Sequence, residues 1–160
     1  MDEILSDLFS YVRFASISGD SRYRSEVNAC ADWLTARFER AGLDAKKYPT
    51  AGHPIVVARS RPQKDLKTVL IYGHYDVQPP DPLELWESPP FEPTVKDGRV
   101  VGRGSSDNKG QLLPHLFGAT YQPNRNFSAN ANFTWSHSNY TNAFNVFTET
   151  SDYLNAFAPY

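Results

Sequence analysis

A histidine and an aspartate two residues apart, His74 and Asp76 in GHYDV, are the first residues of this chain whose types could do chemistry together. They follow the apolar run Val69-Leu70-Ile71-Tyr72, which is closed by Gly73. That run is β-branched and aromatic, of strand length, and reads as a buried strand over residues 68–72. In open α/β sheets the working residues sit just past the carboxyl ends of such strands. Side chains at i and i+2 of extended chain project to one side. An imidazole placed there can bind a metal, while a nearby carboxylate sets its orientation and tautomer. The bland alternative for a single His-x-Asp is a loop histidine satisfied by its neighbours, because one short motif is only a hypothesis.

A further carboxylate, Asp107, stands among small, flexible residues in GRGSSDNKGQ, ahead of a helix-compatible stretch. Together, GHYDVQPPDPLELWESPPFEP and GRGSSDNKGQL resemble the M20 family of metallopeptidases, in particular its dipeptidase-like members. The resemblance covers roughly residues 1–119. It implies an α/β fold: an incomplete M20-type catalytic domain, with a mixed sheet and helices packed on it. It also implies a pair of divalent metals, usually zinc, sharing a water that attacks the carbonyl of a dipeptide or small amide. By the resemblance, His74 is a metal ligand, Asp76 the carboxylate that holds its ring, and Asp107 the carboxylate that bridges both metals. The peptide bond after Asp107 is implied to be cis. Imidazole nitrogen and carboxylate oxygen both suit zinc, at about 2.0–2.2 Å.

The family follows its bridging aspartate with a Glu-Glu pair, then another acidic ligand and a late histidine, and carries an inserted lid domain. Downstream of the motif this chain offers only Glu149 and Asp152 as acids, in FTETSDY, and neither forms such a pair. His115 and His137 are the later histidines; packing is the simpler reading of His115, and His137 falls in an anomalous tail. Catalytic zinc takes three protein ligands plus water, so His74 and Asp107 leave both shells short. The missing general base removes a further factor of about 10²–10⁴ in rate. The expectation is weak metal binding and no useful peptidase activity from the chain alone; the alternative is a non-catalytic fragment, or a small metal- or partner-binding protein.

The positioning elements can be read from periodicity. Ile4, Leu5, Leu8, Tyr11 and Val12 recur at helical spacing over residues 2–14, with Asp2 and Glu3 at the favourable end of the dipole. Residues 16–21, SISGDS, form a turn cluster. A second helix from about Ser25 carries Val27, Cys30 or Ala31, Leu34, Phe38 and Ala41, and stops at Gly42 with Arg37 and Arg40 in its last turn. Its arginines and glutamates read as a solvated face. Short strands are expected at 45–48 and 55–59, with His53 in an exposed turn between Gly52 and Pro54. Six prolines between 79 and 93 exclude helix and central strand there, and Trp86 and Phe91 serve to pin the resulting loop. Asp97-Gly98 between Val95 and Val100 specifies a hairpin over 94–103 with a type I′ turn. Residues 108–119 read as a helix, against which Pro114 counts by about 3 kcal/mol.

Composition sets the outer bounds. Hydrophobic residues make up 40% of the 160 and charged residues 21%, within the range for a globular domain. A net charge of −2 gives no attraction for nucleic acid or membrane surfaces. The acidic start, MDEILSDLF, does not match a secretory leader, so a cytoplasmic location is expected. Cys30 cannot form an internal disulfide and reads as buried and inert. From 120 to 160 the character changes: there is no lysine, and asparagines are interleaved with Phe, Tyr and Trp. Asn126, Asn132 and Asn139 match the N-glycosylation pattern, as by-products of that composition. The chain is thus expected to divide into an M20-like part, 1–119, and an atypical, poorly ordered tail, 120–160, with a native, acquired, recombined or frame-shifted origin all left open. A central strand missing its neighbours would expose apolar surface, so self-association is expected.

Overall fold

The computed structural model describes residues 3–62, 64 and 69–120; the sequence readings for the tail lie outside them. Three helices and two β-hairpins frame the described part. Helix α1 is Glu3–Val12, and a 3-10 turn at Ser21–Tyr23 leads into α2, Arg24–Arg40. Strands β1 (Asp44–Tyr48) and β2 (Ile55–Arg59) pair antiparallel, Asp44 opposite Arg59 and Tyr48 opposite Ile55. A second 3-10 turn, Leu83–Leu85, lies in the proline-rich loop, and β3 (Thr94–Lys96) pairs antiparallel with β4 (Arg99–Val101). Helix α3 is Lys109–Thr120. No helix among the described residues is long and apolar enough to cross a membrane.

The core lies where the three helices meet. Leu8, Tyr11 and Val12 of α1, Cys30 and Leu34 of α2, Val100 of β4 and Leu113 of α3 form one buried cluster. The α1 and α2 members are apolar positions read at helical spacing, so the stripe that marks these two helices in sequence is also the face each buries. Tyr11 stacks on Trp33 at 5.0 Å between ring centroids. Each large apolar side chain fully withdrawn from water contributes about 1.5–3 kcal/mol. Helix α2 ends as its sequence indicates: Gly42 takes φ +83° and donates to the Glu39 carbonyl, while Leu43 N–H reaches Phe38 O. The second hairpin turns on Asp97 (φ 51°) and Gly98 (φ 73°), the left-handed pair of a type I′ turn.

Two sequence readings need correction. Arg37 is not on a solvated face: it is 5% exposed, and its Nε donates to Asp7 Oδ2 of α1 at 2.5 Å. Asp7 falls on the inner side of α1, and a buried carboxylate needs a paired charge. The second correction concerns the strand expected at 68–72. Residues 69–72 belong to no ladder, and Leu70 and Tyr72 are each 87% exposed. A strand with two apolar faces needs partners on both edges and cover on both sides, and the described residues supply neither. The exposed apolar surface foreseen for such a strand is therefore present, without the strand. Among the described residues the pairings of both senses stay separate: two antiparallel hairpins and one parallel bridge, Ile17 with Val77.

Candidate metal-binding site

The Ile17–Val77 bridge organises the site. Val77 N–H donates to Ser16 O at 3.0 Å, and Ser16 Oγ donates to Tyr75 O at 2.7 Å. These bonds lay residues 16–18 alongside 75–77, with Ile17 and Val77 buried. On the other flank, residues 102–107 return from β4 to the start of α3. Gly104 there has φ +85°, and a Cβ would stand 2.7 Å from Val77 Cγ1, so conformation and space both require glycine. The two flanks enclose a cleft of about 320 Å³ whose lining includes His74, Asp76, Gln78, Arg103, Ser106 and Asp107.

His74, Asp76 and Asp107 come together in it. Nδ1 of His74 has two neighbours, the Asp76 carbonyl oxygen at 3.1 Å and Asp76 Oδ1 at 3.2 Å. Both are acceptors, and so is Asp107 Oδ1 beside Nε2; with a cation between Nε2 and Asp107, the hydrogen of a neutral imidazole belongs on Nδ1. Nε2 then points at Asp107 Oδ1, 3.1 Å away, from 33 residues earlier in the chain. Asp107 is open to the cleft, its side chain 82% exposed. Two donors on one tetrahedral zinc stand about 3.4 Å apart, from bonds of about 2.1 Å, so the observed spacing suits a shared cation. The donor set, one imidazole and one carboxylate, also suits such an ion. Among the described residues no group of three His, Cys, Asp or Glu side chains converges on one point. His74 and Asp107 can hold a metal from one side only.

Asp107 and Asn108 are joined by a cis peptide bond, as the resemblance implied. Asn108 Oδ1 accepts from the His74 backbone N–H at 3.3 Å. Lys109, the next residue, is wholly buried, and its Nζ donates to Tyr11 O at 3.1 Å and Phe14 O at 2.8 Å. Its ammonium ties the start of α3 to the carbonyls at the end of α1, where a cation also suits the helix dipole. Burial pushes its pKa down to about 8, against the opposing pull of Cys30, Asp76 and Glu26. Cys30 is buried as read, and burial raises its thiol.

Sequence reasoning missed Asn108, Lys109 and Ser18. Ser18 Oγ donates to Asp76 Oδ2 at 2.5 Å, across 58 residues of chain, and no local pattern marks such a pairing. His53, read as an exposed turn residue, is half-buried, and its Nε2 meets Ser18 O at 2.9 Å. The proline-rich loop is pinned as its aromatics indicated. Trp86 Nε1 donates to Pro80 O at 2.7 Å, and the Arg103 guanidinium lies 5.2 Å over the indole while Nη2 bonds Pro79 O. His115 lies on α3, half-buried. His137 and Glu149 lie outside the described residues.

The sequence pattern of peptidase family M20/M25/M40 matches residues 70–136, a span that holds His74, Asp76 and Asp107 and runs past residue 119. A cysteinylglycine-S-conjugate dipeptidase of Corynebacterium striatum is 35% identical over 113 residues, 70% of this chain and 24% of that protein. The chain belongs to the M20 peptidase family. A succinyl-diaminopimelate desuccinylase of Acidovorax ebreus is 54% identical over 93 residues, 52% of this chain and 24% of that protein. Among solved structures, an M20 family metallo-carboxypeptidase from Sulfolobus solfataricus superposes with a TM-score of 0.67 at 38% identity, covering 76% of this chain and 27% of that one. The described part is thus an incomplete M20-type α/β domain. The chain spans about a quarter of the length of the curated relatives it matches.

Proposed function

We propose that the chain carries one half of the metal centre of an amide hydrolase, with His74 and Asp107 as ligands and Asp76 holding the imidazole. The observation that carries this reading is the approach of His74 Nε2 to Asp107 Oδ1 at 3.1 Å in an open cleft. A dipeptidase and a desuccinylase share one reaction: water adds across an amide, giving a carboxylate and an amine. Dipeptides and N-acyl amino acids are therefore the substrate class for the completed centre. Bound zinc, one ion or a pair, would polarise the amide carbonyl and lower the pKa of a coordinated water toward 7.

The chain's own contribution is positional. Asp76 keeps the His74 proton on Nδ1 and leaves Nε2 as the donor. Asn108 Oδ1, bonded to the His74 backbone N–H, keeps the segment carrying Asp107 beside His74, and the cleft leaves room for substrate. A third ligand and a general base have to come from outside the described residues. The chain alone is proposed to be inactive, because after Asp107 its only acids are Glu149 and Asp152, which form no Glu-Glu pair.

Equilibrium dialysis against zinc, with Asp107→Ala alongside, tests this. Weak binding that drops at least tenfold in the variant is expected. Tight binding that is lost in the variant means that residues beyond the described ones complete the centre, and dipeptide hydrolysis is then assayed. Binding that ignores Asp107→Ala sinks the reading and leaves a protein that binds a partner, or metal elsewhere.

A further inference from the structure

We propose that Ser18 is a positioning residue for the metal half-site, acting on His74 through Asp76; this rests on the reading of His74 as a ligand. Asp76 has two carboxylate oxygens with separate duties. Oδ1 faces His74 Nδ1 at 3.2 Å, and Oδ2 accepts from Ser18 Oγ at 2.5 Å. Without the second bond the carboxylate can rotate about its terminal torsion, which is broad and roughly two-fold, and Nδ1 keeps only its hydrogen-bond partner, the Asp76 carbonyl oxygen at 3.1 Å, losing the carboxylate charge beside it. Ser18 is itself held. The parallel bridge at Ile17 fixes its backbone, and His53 Nε2 meets its carbonyl oxygen at 2.9 Å. Tyr75 Oη donates to Pro54 O at 2.5 Å, so the β1–β2 turn is fastened to both of the segments joined by the Ile17–Val77 bridge. The line runs from that turn through Ser18 and Asp76 to His74 and ends at Asp107. Apart from the His74–Asp76 step, each link is a polar contact between groups far apart in sequence, and Ser18 supplies the hydroxyl that reaches Asp76.

Groups that orient a metal-bound histidine are typically worth 10–100-fold in metal affinity, and Ser18, one bond further out, belongs at the lower end. The test uses the full 160-residue chain as wild type, Ser18→Ala and Ser18→Thr. The first readout needs no metal. Long-range proton–nitrogen correlation of the imidazole rings, at a pH where imidazole is neutral, reports the His74 tautomer; the His74 signals are assigned by their loss in His74→Gln. With Asp107→Ala in every chain, so that Nε2 faces no carboxylate, the chain with Ser18 and the Ser18→Thr chain are expected to carry the proton on Nδ1, and Ser18→Ala to show a mixture. The second readout is zinc affinity, expected to fall about tenfold in Ser18→Ala and to recover in Ser18→Thr. Ser18→Ala matching wild type in both readouts overturns the proposal. So does equal impairment of Ser18→Ala and Ser18→Thr, which would make the effect one of packing. If wild type shows no Asp107-dependent zinc binding, the ligand reading fails instead, and the tautomer result still decides the role of Ser18.

Discussion

A Cβ on Gly110 would run into the Ser105 carbonyl oxygen. This single contact shows how tightly the segment carrying Asp107 is folded onto the first turn of α3. Replacing glycine by alanine inside a helix ordinarily gains about 1 kcal/mol. Here the clash is with backbone, which cannot rotate away, and overpacking typically costs about 1–3 kcal/mol, occasionally more. The clash wins, so Gly110→Ala is expected to lower stability by about 2 kcal/mol in urea denaturation. Zinc binding should weaken as well, because the turn that must shift holds Asp107. A variant as stable as the wild type would show that the approach is looser than described. The same closeness explains Lys109, which begins the helix and directs its charge to one carbonyl of α1 and one just beyond it rather than to the cleft.

At the scale of elements, α3 combines a site-bearing start with an unfavourable middle. Pro114 lies in its interior and cannot donate to the Gly110 carbonyl, a defect that ordinarily costs about 3 kcal/mol. Packing offsets it: Leu113 is 2% exposed in the main core. His115 follows directly, and burial lowers its pKa from the ordinary histidine value. The folded chain therefore holds this imidazole neutral at pH values where the unfolded chain, titrating near about 6.5, already binds a proton. Stability from this group is complete above that unfolded pKa and is lost as pH falls through it toward the lower folded value. Melting temperatures measured between neutral and mildly acid pH should decline, and His115→Phe should flatten the decline. An unchanged pH profile in that variant would mean that His115 takes up its proton equally in both states.

For the whole molecule, the exposed apolar run at 69–72 is the dominant liability. Val69, Leu70, Ile71 and Tyr72 are 67, 87, 50 and 87% exposed and sit immediately before the site histidine. An apolar segment with free backbone donors and acceptors is a template for pairing with another chain. Sedimentation should therefore show association that grows with concentration, and Leu70→Lys with Tyr72→Lys should remove it without changing the far-UV dichroism. Association that survives both lysines would place the contact elsewhere.

The sequence alone determined what depends on near neighbours. The helical stripes, the Gly42 stop, the Asp97-Gly98 turn and the proline-set loop are local choices of backbone, and each appears where its residues indicate. The candidate residues His74, Asp76 and Asp107 stand out in the sequence by type and motif context, and the fold brings the three side chains together. Tertiary structure decided whatever joins distant segments. Ser18 reads as one serine in a turn cluster until the Ile17–Val77 bridge brings it to Asp76. Arg37 reads as a surface cation until Asp7 is found opposite it. The apolar run at 69–72 reads as buried, yet whether a strand is buried depends on partners that its own residues cannot supply. Local torsions and periodicity are written in consecutive residues; burial and ion pairing are properties of whatever the rest of the chain places alongside.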